Sequence, residues 1–97
     1  MARITVYIPT PFRWATNNRD RVEVAAADVG GLLDELERSY AAFKGLVRND
    51  EGGIHHHVNI YVNNEAIEAL QGLATPLREG DEVAIIPALA GGRASGS

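Results

Sequence analysis

Four short segments of the chain have the apolar patterns that predict β-strands. Residues 3–8, 21–24 and 58–62 alternate between apolar and polar positions, which is the period of a half-buried strand. Residues 83–86 are apolar on both faces, a pattern typical of a central strand. The stretch between the first two segments, residues 10–18, reads as a loop.

One longer segment between the second and third strands has helical spacing. Asp28 precedes it and predicts an N-cap, since its carboxylate can accept a bond from a free backbone N–H. Gly45 is expected to stop the helix or its final turn. An apolar stripe with helical spacing lies between these two residues: Leu32, Leu33, Leu36, Tyr40 and Phe43.

The order of elements, β-β-α-β-(short β)-β, predicts an α+β roll in which a mixed sheet of four to five strands has one main helix on one face. The opposite face of that sheet would lack a covering layer. We expect Tyr7 and Tyr61 on this face, where uncovered aromatic side chains often mark a partner surface.

Composition narrows the classes of function. The chain has 97 residues, a net charge of −4 and no cysteine. One domain is expected, and the acidic balance disfavours nucleic acid. The absence of cysteine excludes disulfides and thiolate chemistry. No apolar run approaches membrane-spanning length, so we expect a soluble, cytoplasmic protein.

No set of side chains predicts an enzyme. Three consecutive histidines at 55–57 suggest a metal site, but neighbouring strand residues point to opposite faces, so a solvated loop entering the third strand is favoured. The acidic residues Asp34, Glu35 and Glu37 are interpreted as a solvated helix face. Trp14 is interpreted as a loop anchor rather than a partner contact. We therefore expect neither a catalytic group nor a metal site in this chain.

The unusual feature that remains is Ala90-Gly91-Gly92, directly after the last strand. With this feature in view, the chain resembles the β-grasp sulfur carriers, which include the small subunit of molybdopterin synthase and the thiazole-synthesis carrier. It is most similar to the actinobacterial cysteine-synthesis carrier. The stretches that carry the resemblance are residues 6–10, 58–63, 72–75, 80–83 and 86–92.

The resemblance implies a β-grasp domain over residues 1–87, a flexible arm over 88–92 and a disordered extension over 93–97. It also implies that a ubiquitin-activating-type enzyme uses Mg-ATP to adenylate the Gly92 carboxylate. A sulfur donor then converts the adenylate to a thiocarboxylate, which delivers sulfur to a synthase. The arm threaded into the partner would be Ala88, Leu89, Ala90 and Gly91. The chain would bind no cofactor and would act as a co-substrate, not as an enzyme.

This sequence departs from the family at its C-terminus. Gly92 is followed by Arg93, so its carbonyl belongs to an amide and not to a free carboxylate. Either a JAMM-type zinc protease cuts the bond between Gly92 and Arg93, or the extra residues are an added sequence or a deliberate block. Two other classes of function stay open: a β-grasp binding module, and a ubiquitin-like modifier that carries no sulfur.

Overall fold

The computed structural model describes residues 2–87, which contain one five-stranded mixed sheet. The strands are β1 (Ala2–Tyr7), β2 (Arg21–Ala26), β3 (Val58–Val62), β4 (Glu65–Ala66) and β5 (Glu82–Pro87). Their spatial order is β2-β1-β5-β3-β4. β1 and β5 run parallel, while the other neighbours pair antiparallel.

A single α-helix, α1 (Val29–Ser39), covers one face of this sheet. Alternate strand residues point toward it, so that Val6 and Val83 are fully buried. The helix contributes Leu32, Leu33 and Leu36, which are also fully buried. Removal of this apolar surface from water is the main term that stabilises the fold. The expected mixed sheet with one main helix on one face is confirmed.

The helix begins where the sequence predicts and ends earlier. The Asp28 carboxylate accepts a hydrogen bond of 2.7 Å from the Gly31 N–H, as an N-cap should. The helix ends at Ser39 because Tyr40 is extended, with φ −130° and ψ 93°. Phe43 lies instead in a 3₁₀ segment, Ala41–Phe43, where it is fully buried. The prediction that Gly45 stops the helix was therefore wrong, although Phe43 does belong to the core.

The segment between β1 and β2 is helical rather than an open loop. A 3₁₀ segment spans Thr10–Thr16, with Pro11 in its first turn, where the missing proline N–H is tolerated. The Phe12 ring meets the Phe43 ring edge-on, with 6.3 Å between centroids. This ring contact packs the 3₁₀ segment against the core.

β5 is central, as predicted, but only one of its faces is buried. Val83 and Ile85 point into the core, whereas the Ile86 side chain is 46% exposed. Within the described residues α1 covers only one side of the sheet, so the opposite face is open, as the sequence predicts. Residues 2–87 contain no helix of the length and apolar character that a membrane span requires.

Candidate partner-binding face and the root of the C-terminal arm

The uncovered face of the sheet carries an aromatic row across its three central strands. Tyr7 of β1 and Tyr61 of β3 both lie in register with Ala84 of β5. All three therefore project from the same face, and each is partly exposed. The small methyl group of Ala84 leaves a depression of about 60 Å³ between the two rings. Tyr7 and Tyr61 thus lie where the sequence places them.

Ile86 extends this row toward the C-terminal end of β5. It lies two residues beyond Ala84 on the same face, opposite Asn59 of β3. Ile86 is 46% exposed, and together with the two tyrosines it forms a contiguous, partly apolar surface, which is the kind of feature that marks interaction sites. We call Tyr7, Tyr61, Ala84 and Ile86 the open-face patch. Sequence reasoning named only the two tyrosines for this face and missed Ile86, although an apolar run at residues 83–86 in a sheet with one open face is the signal that could have found it.

The depression in this patch is small. Its 60 Å³ is well below the roughly 300–1,000 Å³ of small-molecule sites. Its edge is fixed by the turn after β3, where Asn63 and Asn64 take positive φ values of 50° and 71°. The Asn63 amide donates to the Asp81 carboxylate at 3.0 Å, and its oxygen accepts from the Glu82 N–H at 3.0 Å. These bonds hold the ends of β3 and β5 together, so the patch is presented without rearrangement.

The C-terminal arm leaves from a fixed point. Pro87, the last residue of β5, still lies in register with Val58, the first residue of β3. Three predictions concern residues outside the described part of the chain: the arm (Ala88–Gly91), the sulfur-carrying role of Gly92 and the processing site at Gly92–Arg93. The structure thus fixes where the arm begins, beside Ile86 of the open-face patch.

Trp14 is not the loop anchor that the sequence suggested. Its side chain is 61% exposed, more than that of any other large hydrophobic residue in the described part. The anchoring in this 3₁₀ segment comes instead from Phe12, which contacts Phe43, and from the buried Ala15 and Thr16. In a 3₁₀ helix residues three apart share a side, so Trp14 lies on a different side from Phe12 and Ala15.

The histidine run lies in the loop that enters β3, as predicted. The rings of His55 and His57 stack with centroids 5.2 Å apart, and the His55 Nε2 lies 3.0 Å from the Gly45 carbonyl oxygen. Among residues 2–87, no group of three or more His, Cys, Asp or Glu side chains is arranged to hold a metal ion. The stacked rings therefore form part of the loop surface.

The acidic residues of α1 serve as ion-pair partners. Glu35 pairs with Arg38 on the surface, and Arg48 bridges Asp34 and Glu37 at 2.7 and 2.9 Å. The hydrogen bonds to Glu37, and secondarily to Asp34, raise the pKa of Arg48 above its usual value despite the opposing effect of burial. The predicted solvated face holds for Asp34, which is 69% exposed, but not for Glu37, which is only 17% exposed. This pairing ties the loop before β3 to the helix.

Comparison with known proteins places these features in one family. The ThiS family pattern matches residues 6–92. The sulfur carrier protein CysO of Mycobacterium tuberculosis is 37% identical over 91 residues, covering 92% of this chain and 98% of that protein. Small archaeal modifier protein 3 of Haloferax volcanii is 39% identical over 66 residues, covering 68% of this chain and 71% of that protein.

A solved structure agrees with the architecture. A chain of the BexX/CysO complex of Amycolatopsis orientalis superposes with a TM-score of 0.85 at 36% identity. The match covers 92% of this chain and 99% of that one. The β-grasp fold and the resemblance to ubiquitin-like sulfur carriers are thereby confirmed.

Proposed function

The chain belongs to the ThiS family, and from this premise we propose that it is a sulfur carrier protein whose reactive group is the Gly92 carboxylate. The observation that carries the proposal is the extent of the family match. It ends at residue 92, on the Gly91–Gly92 pair, and leaves Arg93 and the residues after it beyond the family domain. The reactive terminus would therefore be made by removing those residues.

The proposed chemistry has two steps. The Gly92 carboxylate attacks the α-phosphorus of Mg-ATP on a partner enzyme, which releases pyrophosphate and forms an acyl-adenylate. Sulfide, or an equivalent donor, then attacks the acyl carbon, and AMP leaves with its electron pair. The product is a thiocarboxylate, a sulfur nucleophile on the end of a protein. The partner supplies the nucleotide and magnesium, so the chain acts as a co-substrate rather than as a catalyst.

The domain would contribute recognition and geometry. The open-face patch offers the activating enzyme a rigid, partly apolar surface, and Pro87 fixes the root of the arm beside it. Residues 88–90 are Ala, Leu and Ala, none of which branches at Cβ, so a groove can hold them extended. The two glycines that follow lack the Cβ that would block a narrow passage. CysO of A. orientalis forms a complex with BexX, which supports partner binding as a property of such proteins.

We propose sulfur transfer in cysteine synthesis, or to a sulfur-containing specialised metabolite, as the pathway. The similarity to CysO supports this assignment. A synthase would accept the sulfur. A JAMM-type zinc protease would cut between Gly92 and Arg93, and the reactions would take place in the cytoplasm.

A second candidate function has an observation of its own. Two relatives are small archaeal modifier proteins, at 39% and 40% identity. A modifier would share the activation of Gly92 but pass its acyl group to a lysine amine. Its products would be isopeptide-linked adducts, which digestion and mass spectrometry would detect. Such adducts without any thiocarboxylate would favour this second function.

The experiment compares two forms of the chain, one ending at Gly92 and one ending at Ser97. Each is incubated with the adenylating enzyme of the same organism, ATP and a sulfur donor. Intact mass should show one oxygen replaced by sulfur in the form ending at Gly92 and no change in the longer form. Omission of ATP is the control. No replacement in the form ending at Gly92 would refute sulfur carriage.

A further inference from the structure

The sheet topology gathers several segments at the end where β5 finishes. β1 and β5 are parallel, so Tyr7 and Pro87 end their strands on the same side. β2 and β3 run antiparallel to those strands and therefore begin there. The 3₁₀ segment Thr10–Thr16, which joins β1 to β2, thus lies at the end of the sheet from which the arm departs.

Trp14 is held rigidly on this end of the molecule. Phe12, Ala15 and Thr16 pack inward from the same 3₁₀ segment, and the Thr16 hydroxyl lies 3.0 Å from the Arg19 carbonyl oxygen. The exposed indole is therefore carried on a fixed backbone. A partner that binds Trp14 therefore need not order the backbone that carries it, which limits the entropy lost on binding, and tryptophan is enriched among residues that dominate interface affinity.

The segment that carries Trp14 differs in charge from the whole chain. Residues 10–21 hold three arginines and one acid, whereas the chain carries a net charge of −4. Arg19 and Arg21 are exposed. The Arg13 Nε donates to the Ile8 carbonyl oxygen at 3.1 Å, which keeps this side chain beside the end of β1. Such a local basic cluster is complementary to an acidic surface on a partner.

We propose that Arg13, Trp14, Arg19 and Arg21 form a second contact surface for the activating enzyme, which adjoins the open-face patch where Arg21 lies in register with Tyr7. We call these four residues the arm-side surface. The proposal rests on the proposed function, since it needs an enzyme that takes up Gly92. It requires that the enzyme have an acidic surface beside the passage that takes up the arm, and that this surface contain an apolar recess for the indole.

The length of the arm supports this placement. Gly92 is five residues beyond Pro87, so its Cα lies at most about 17 Å from the end of β5, whatever path the chain takes. An enzyme that brings the Gly92 carboxylate to its ATP must stand against this end of the sheet. The 3₁₀ segment with Trp14 is at that end, whereas Leu70, which is also exposed, borders Val62 and Asp81 at the opposite end.

The test measures ATP–pyrophosphate exchange by the activating enzyme with chains ending at Gly92. Trp14→Ala should raise the KM for the carrier about 10-fold, the effect of a strong interface residue, and leave kcat within about two-fold. Arg19→Glu together with Arg21→Glu should raise KM in a way that weakens with added salt. Leu70→Ala is the matched control and should leave KM unchanged.

Each outcome decides between the two proposals. If the unsubstituted chain supports exchange and Trp14→Ala leaves KM unchanged, the arm-side surface is refuted and the proposed function stands. If the unsubstituted chain supports no exchange, the proposed function fails and the second surface fails with it. Sedimentation is a further measurement. If the chain forms a dimer that Trp14→Ala dissociates, and KM is unchanged, the surface binds a second copy of the chain and the proposal is overturned.

Equal thermal unfolding midpoints confirm that the variants are folded. The arginine pair tests the surface independently if Trp14→Ala is unstable.

Discussion

Ile86 gives the most specific prediction for the open-face patch. The substitution Ile86→Thr keeps a β-branched side chain, and with it the preference for a strand, but replaces the apolar end with a hydroxyl. The Ile86 side chain is 46% exposed, whereas the neighbouring Ile85 is buried. The change therefore alters the surface of β5 and leaves the core intact.

The size of the effect follows from the exposed fraction. Full burial of an isoleucine side chain is worth roughly 1.5–3 kcal/mol. Because 46% of Ile86 is exposed in the free protein, covering it with a partner would contribute about 0.7–1.4 kcal/mol on the same scale. Threonine removes most of this apolar contact, so we expect a loss of about 1 kcal/mol in binding, or a KM for the carrier raised about five-fold.

The assay is steady-state activation of the form ending at Gly92, with the carrier concentration varied. Leu70→Thr is the matched control, since Leu70 is 36% exposed at the other end of the sheet. An unchanged KM for Ile86→Thr, or an equal rise for Leu70→Thr, would refute the assignment of the open-face patch. Both variants should keep the thermal unfolding midpoint of the unsubstituted chain within a few degrees.

Three contacts on the helix side of the sheet give predictions for the free energy of unfolding, measured by urea denaturation. Arg48→Met should lose about 1–3 kcal/mol because it leaves the largely buried Glu37 carboxylate unpaired. Pairing in the folded state raises the pKa of Arg48 above its usual, already high value. The stabilisation is therefore complete at neutral and mildly alkaline pH and falls only at pH values high enough to deprotonate the guanidinium, so the loss should be equal at neutral and mildly alkaline pH. Phe43→Ala should cost about 3–5 kcal/mol, since the ring is fully buried. Asp28→Ala removes the N-cap bond to Gly31 and should lose about 1 kcal/mol. A loss below about 0.5 kcal/mol at any of the three would contradict the role of that contact.

The strands could be predicted because the sheet has one covered face. Where one face is buried and the other is not, side chains must alternate, and this alternation is visible at residues 3–7, 21–26 and 58–62. The helix start was equally clear, because an N-cap needs a specific side chain at a specific place. These are local constraints, so the local sequence contains them.

The helix end, the exposure of Trp14 and the role of Ile86 were not predicted, because the local sequence does not determine them. Tyr40 and Phe43 are three residues apart, a spacing that fits a 3₁₀ turn as well as an α-helix, so periodicity did not locate the helix end. Whether Trp14 or Ile86 is covered depends on which distant segment lies over it, and no local pattern records that. Gly92 was named from the resemblance to the sulfur carriers, whose chemistry needs only a chain terminus and two small residues, and its role stays a prediction.

The central claim is that Gly92 becomes a free terminus and then carries sulfur. Intact mass spectrometry of the native protein, purified from its host without acid, tests this most directly. The account predicts a chain that ends at Gly92, with a fraction in which one carboxylate oxygen is replaced by sulfur. A native protein that always retains Arg93 and the residues after it, with no sulfur gained, would contradict the account.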